Sequence, residues 1–400
     1  MTPELIPPQA PPHRQRGLSL IDLMVGLAVG LIVTLVVLSA LGTMSMQRRT
    51  AVSGDDAKES GQAALSLIER AAKFAGTGLL YNGRLMCTTI NAYRDGTIIA
   101  DNALFAPLLI TDGGSTGSDS LTFAYANAHG GSGVVHLVND MPNASSNYVV
   151  DHHGNLAEDD LALIGVPGSE KPCTLFQVTK ITPEVGGANG GGTAPSCSKI
   201  VHNPSSSYNP PNYNGFAVKP RYGMVPSANV TGPAVITRLG QFSNQTYSVQ
   251  CNSLVVHDAH VTPTCTAAPL SFANATPLVG NVVQIKAQYG VTDSAASDVV
   301  TRWVNATGSW AAPAAADIPR IKAIRIAVVA RASEPGVGIV TTACRNAANV
   351  SNTGPCSFHD ADAPVIDLSG VPVPAGRTWQ NYRYRVFHGV IPLRTVLWNY

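Results

Sequence analysis

Hydrophobic positions change their spacing twice along this chain. Residues 1–17 are polar and proline-rich and end in His13-Arg14-Gln15-Arg16-Gly17. Residues 18–46 are almost wholly apolar, with a single charged side chain, Asp22. About 20 apolar residues carry a helix across the hydrocarbon of a bilayer. The segment 18–46 therefore predicts a membrane-spanning helix, and no second stretch of that kind follows. From 57 to 75, Ala64, Leu65, Leu67, Ile68, Ala71, Ala72 and Ala75 recur at the spacing of one helix face. The polar stretch Ser53-Gly54-Asp55-Asp56 stands between the two patterns as a cap or kink, and Gly76 and Gly78 end the second. Taken together, a helix from 18 to 75 is about 85 Å long at 1.5 Å per residue.

After Gly78 the pattern changes to short apolar runs with alternation or β-branched enrichment, separated by turn residues. The runs predict strands at 97–100, 107–110, 120–124, 134–138, 161–164, 175–182, 234–239, 245–249, 282–289, 321–330 and 382–393. The Gly-, Asn-, Pro- and Ser-rich tracts between them, such as 183–197 and 203–215, read as surface loops. The expected fold class is α+β: a long N-terminal helix followed by a mainly antiparallel β-sheet head with long loops. The expected divisions are 1–17, 18–46, 47–76 and 77–400.

Composition narrows the function. The net charge of +1 excludes a strong nucleic-acid field or an acidic tail. The cysteines, Cys87, Cys173, Cys197, Cys251, Cys265, Cys344 and Cys356, form no CxxC, so neither a zinc ribbon nor a thioredoxin-like motif is supported. In an exported body they read as disulfides. The candidate local pairs are Cys173 with Cys197, Cys251 with Cys265, and Cys344 with Cys356, with Cys87 left over; sequence leaves the connectivity open.

Catalytic and ligand motifs are weak. Gly113-Gly114-Ser115-Thr116-Gly117 fits GxSxG but lies in a polar loop before a strand, where a nucleophile elbow needs a strand before and a helix after. The glycine run 186–192 lacks the GK[ST] of a phosphate loop. Asp151-His152-His153 with Glu158, Asp159 and Asp160 matches no standard ligand spacing. Asp293 and Asp298 lack the carboxylate density and turn glycine of a calcium loop. Arg320, Lys322 and Arg325 alternate with Ile321, Ala323, Ile324 and Ile326 and read as solvated strand faces. The expectation is a protein that is not an enzyme, with no catalytic residues, no metal and no cofactor.

The N-terminal boundary is unusual. A secretory signal peptide has a shorter apolar region and a cleavage site at its far end. An ordinary signal anchor does not explain a carboxylate inside the apolar run, where an unpaired charge is costly. Arg16-Gly17-Leu18-Ser19-Leu20-Ile21-Asp22-Leu23-Met24-Val25 resembles the class III signal of type IV prepilins. The resemblance implies cleavage by a prepilin peptidase between Gly17 and Leu18, methylation of Leu18 as the new N-terminus, and a role for Asp22 as the charge partner of a neighbouring subunit's ammonium. It also implies that 1–17 is a cytoplasmic leader, 18–46 the transmembrane and assembly helix, 47–76 its periplasmic continuation and 77–400 the head. The sequence departs from the family at two points: Leu18 stands in place of the usual Phe, and Asp22 in place of the usual Glu.

The body is similar to the PilW family. The landmarks are Ser120-Leu121-Thr122-Phe123-Ala124-Tyr125, then Leu161-Ala162-Leu163-Ile164 followed by Phe176-Gln177-Val178-Thr179. Further along come Gln284-Ile285-Lys286-Ala287-Gln288-Tyr289-Gly290-Val291, Trp310, Ile321-Lys322-Ala323-Ile324-Arg325-Ile326-Ala327, and the ending Arg385-Val386-Phe387 with Pro392-Leu393-Arg394. This resemblance implies a minor pilin that primes type IV pilus assembly and sits near the pilus tip, supporting adhesion, twitching motility or DNA uptake. The implied partners are the prepilin peptidase, other minor pilins, the major pilin, a tip adhesin and inner-membrane lipid. The implied location is the inner membrane, single-pass with a periplasmic body, and then the pilus fibre. The alternatives are a type II secretion pseudopilin and a membrane-anchored periplasmic binding or adhesive protein.

Overall fold

The computed structural model describes residues 20–81, 84–126, 134–184, 197–204, 206–224 and 232–393. The chain divides into two compact units, residues 1–53 and 54–400. Helix α1, Leu20–Phe74, supplies the helix of the first and the opening element of the second. It contains no proline, and Ser53-Gly54-Asp55-Asp56 stays helical, without a break. A lone glycine costs about 1 kcal/mol in a helix interior, less than long helix-forming flanks supply.

In the second unit, α1 turns Ala57, Ala64, Ile68, Ala71 and Ala72 inward. The helix stops where Gly76 adopts φ +82° and Gly78 φ +74°, a region that favours glycine. The Gly76 N–H then donates to Ala124 O at 2.8 Å, tying the helix end to a strand.

The head is built from four larger sheets. One holds, in spatial order, Arg302–Val304, Val282–Val291, Ile321–Arg331 and Tyr384–Pro392, all antiparallel. A second holds Thr276–Gly280, Ser253–Asp258, Phe242–Gln250, Ser120–Ala126 and Leu108–Thr111. These two sheets and α1 share a core in which Ala64, Ile68 and Ala72 meet Leu121, Phe123, Ile285, Ile324 and Ile326. Burying a side chain such as Ile68 is worth about 2 kcal/mol. Gly61 permits the close approach: a Cβ there would stand 2.1 Å from the Phe387 ring.

A six-stranded sheet holds Thr97–Leu104, Thr89–Arg94, Cys173–Gln177, Leu161–Gly165, Val235–Gly240 and Val134–His136. A three-stranded sheet holds Lys180–Glu184, Cys197–Val201 and Tyr148–Val150. The arrangement is α+β, with antiparallel pairing dominant.

Three sequence expectations are corrected. The run 175–182 is not one strand: the chain bends at Val178 and Thr179, whose N–H groups donate to Asp160 O and Val201 O, and its halves enter different sheets. The tract 203–215 is not a plain surface loop, because Asn209 and Tyr213 are buried and Asn209 bonds Gln177 on both its N–H and C=O. The tract 183–197 lies in part outside the described residues; Cys197 opens a strand.

The third correction concerns the cysteines. Cys173 bridges Cys87, not Cys197. Thr89–Arg94 and Cys173–Gln177 pair in parallel, with Cys173 opposite Ile90, so Cys87 arrives beside Cys173 from 86 residues away. Cys197 is a buried thiol on a strand of the three-stranded sheet. Local spacing could not reveal a parallel pairing of distant strands. The structure also holds the bridges Cys251–Cys265 and Cys344–Cys356.

Candidate functional site

Two surfaces carry chemistry that packing alone does not explain. The first is the apolar part of α1, Leu20–Gly42, long and apolar enough to cross a membrane. Its 23 residues extend about 35 Å, against roughly 30 Å of bilayer hydrocarbon. Its large apolar side chains stand exposed, from Leu20 at 75% to Val37 at 49%. Its hydroxyls are satisfied within the helix: Thr34 Oγ1 donates to Gly30 O and Leu31 O, and Ser39 Oγ to Val36 O. Such internal satisfaction is what a medium without water demands. Gly26, Gly30 and Gly42 have open space where a Cβ would stand. Asp22 sits in the first turn, where the helix dipole favours an acid. Gly17 and Leu18, with Arg14 and Arg16, lie outside the described residues.

The second is the polar face of the four-stranded sheet. Gln284, Lys286 and Gln288 alternate along Val282–Val291, and Gln288 pairs in register with Arg325 on the next strand. The alternation reads as a wet face, but all four side chains are buried, as is Lys322. Arg325 is 1% exposed at its side chain and is held on several sides. It donates to Gln288 Oε1, to Asp360 Oδ2 at 2.6 Å and to Asp362 O at 2.6 Å. Its guanidinium lies 4.9 Å from the Trp303 ring centre and 4.8 Å from that of Phe358. Cation–π contact of a desolvated arginine adds about 2 kcal/mol. The hydrogen bond from Arg325 keeps the Asp360 carboxyl below its ordinary range. Lys322 pairs with Asp298 at 3.2 Å. The solvated-face expectation for Lys322 and Arg325 is therefore overturned, while Arg320 is half-buried and bonds Asp317 at 2.6 Å. A segment from the long connection 332–383 roofs this face, contributing Phe358, Asp360 and Asp362.

At the edge of the same sheet, Asp119 stands in for a missing strand. Its N–H donates to Ile285 O at 2.8 Å, and its Oδ2 accepts from Ala287 N–H at 2.9 Å. Its Oδ1 accepts from Lys286 Nζ and from Gly113 N–H, each at 3.0 Å. Burial pushes the Asp119 carboxyl above its ordinary range, against the opposing pull of Lys286 and the two N–H donors. The GxSxG match is the turn that closes this clasp, with Gly114 O accepting from Lys286 Nζ at 2.6 Å. It is a loop, with no helix after it.

The acidic and histidine candidates are engaged elsewhere. Asp151 Oδ1 meets His152 Nδ1 at 2.7 Å, Asp160 accepts from Arg238, and Asp293 accepts from Thr301. Among the described residues no three His, Cys, Asp or Glu side chains gather as a metal site. Sequence reasoning missed the Asp119–Lys286 clasp and the Arg325 cage. The usable signal is the polar alternation Gln284-Lys286-Gln288 on one long strand together with a long connection, 332–383, that has to lie over something.

The described chain thus joins an exposed helix of membrane-crossing length to a disulfide-bridged β head. Residues 246–395 match the family model of PilW, described as Type IV Pilus-assembly protein W. The match spans the whole four-stranded sheet, Arg325 included, and indicates a part in type IV pilus assembly. That family is one of assembly rather than catalysis. No curated protein and no solved structure matches the chain.

Proposed function

We propose that the protein is a minor pilin, stored in the inner membrane through α1 and then packed by the same helix into a pilus-priming complex. The observation that carries the reading is the PilW match joined to a helix whose apolar side chains stand exposed over Leu20–Gly42. In this account the leader 1–17 is removed by a prepilin peptidase after Gly17, and Leu18 becomes the methylated N-terminus. An ammonium drawn into an apolar helix bundle needs a counter-charge. Asp22, one turn along a neighbouring helix, supplies it. The bare surface at Gly26, Gly30 and Gly42 allows helices to approach closely. The head, periplasmic before assembly, then contacts other minor pilins, the major pilin and a tip adhesin near the fibre tip, in support of adhesion, twitching motility or DNA uptake.

The test is Asp22→Ala in the native host. Membrane insertion should persist, because removing a charge favours lipid, while surface pili should be lost. Normal piliation in that strain contradicts the charge-pairing mechanism.

A further inference from the structure

The head encloses an amine and a carboxyl group for which pilus packing has no use. Lys286 Nζ lies 3.0 Å from Asp119 Oδ1, and the two side chains are 6% and 3% exposed. Neither can swing away. Asp119 is fixed by its own N–H to Ile285 O and by Ala287 N–H to its Oδ2. The neighbouring Ser118 Oγ accepts from Ile285 N–H at 2.9 Å, and Gly114 O holds Nζ from the other side. The amine is held at hydrogen-bond distance from a carboxyl oxygen, one bond from the Cγ it would attack, so no diffusional encounter is needed.

Burial weakens the ionised form of the acid partner. In a dry core an ion pair loses its hydration, so moving one proton from Nζ to the carboxylate costs less than in water. The raised titration of Asp119 agrees with this direction. The N–H groups of Gly113 and Ala287 point at the two carboxyl oxygens, where they polarise the carbonyl and stabilise negative charge in a tetrahedral adduct.

We propose that Lys286 and Asp119 are joined in the mature protein by an intramolecular amide bond. A proton passes from the Lys286 ammonium to the Asp119 carboxylate. Nζ then attacks Cγ and forms the C–N bond. The adduct collapses by breaking one C–O bond, and the departing hydroxyl takes a proton from nitrogen and leaves as water. One ammonium and one carboxylate become one amide and one water, with no oxidant, metal or cofactor consumed. The bond fastens the start of strand Ser120–Ala126 in one sheet to the middle of Val282–Val291 in the other. A covalent tie there resists tension on the head in a way that an ion pair does not.

The experiment is mass spectrometry of the full chain, denatured and with its disulfides reduced, followed by peptide mapping. The expected result is a mass lower by one water than the sequence from its observed N-terminus with any N-terminal methyl group counted, together with a branched peptide joining Lys286 to Asp119. Lys286→Arg keeps a cation beside the carboxylate but should restore the full mass. Asp119→Ala should do the same, and the reduced wild type should run faster than both variants on a denaturing gel. Wild-type protein that shows no water loss once its N-terminal methyl group is counted overturns the proposal, even if neither variant folds. A water loss that maps to any other position, such as an aspartyl succinimide, overturns it as well.

Discussion

The apolar stretch of α1 and the four-stranded sheet of the head break the usual partition in opposite directions. Over Leu20–Gly42 large hydrophobic side chains stand outside. On the sheet, Gln284, Lys286, Gln288, Lys322 and Arg325 stand inside. The contrast lies in how each region satisfies its polar groups. The helix closes its backbone and its hydroxyls on itself and leaves its apolar surface for lipid or other helices. The sheet recruits distant polar partners, the Gly113–Asp119 loop and the connection 332–383, to close over its charges. One region leaves its apolar surface uncovered; the other covers its charges with its own chain.

The largest effect that sharpens this contrast is expected from Arg325→Ala. Removing one buried charge leaves Gln288 Oε1 without its donor, leaves Asp362 O with Gln288 Nε2 alone, and opens a gap between Trp303 and Phe358. The head should lose about 4 kcal/mol of stability, read by urea denaturation. A loss within error would mean that the cage is not formed. In the helix, Leu31→Arg should cost about 3 kcal/mol of membrane insertion yet leave the head's unfolding midpoint unchanged. Fractionation and a thermal melt read the two arms, and a shifted melt would show that this face of α1 serves the head.

A third test uses a different buried polar group. His202 is stacked on Tyr148, with ring centres 4.4 Å apart, and burial holds its imidazole down to about 4. In the unfolded chain it titrates near its ordinary 6.5. Between those values the unfolded chain binds more protons. Stability is therefore full above about pH 6.5 and falls as pH drops towards 4, by up to about 3 kcal/mol. His202→Gln should flatten that slope, as measured by unfolding at a series of pH values; an unchanged slope would exclude His202 as its source. The smallest effect is expected from Asp360→Ala. Its side chain is 49% exposed, so the pair with Arg325 is screened, and the loss should stay below about 1 kcal/mol. A loss as large as that of Arg325→Ala would mean that the charge pair, not the aromatic sandwich, holds the connection down.

Much of the fold was legible in the sequence where patterns are local. The membrane-length helix, the amphipathic stripe from Ala64 to Ala75 apart from Leu67, which stands exposed, and the long strands Val282–Val291 and Ile321–Arg331 follow from periodicity. The polar alternation on Val282–Val291 gives the strand period but says nothing about what covers the polar side. From sequence alone Arg325 reads as wet for that reason. Short strands such as Tyr148–Val150 and Arg302–Val304 are set by their neighbours, not by their own residues. The Cys87–Cys173 bridge depends on a parallel pairing across 86 residues, which no spacing rule contains. The candidate site divides the same way: Asp22 was visible as a charge in an apolar run, while the Asp119–Lys286 clasp needs two sheets brought together.

The central claim is that a membrane-length helix is freed of its polar leader and reused in a fibre. The measurement that tests it most directly is the N-terminal mass of the protein isolated from its native membrane. The account predicts a chain that begins at methylated Leu18 and, in a Gly17→Ala strain, retains residues 1–17. A native chain that still begins at Met1, or one cut beyond residue 46, would contradict it.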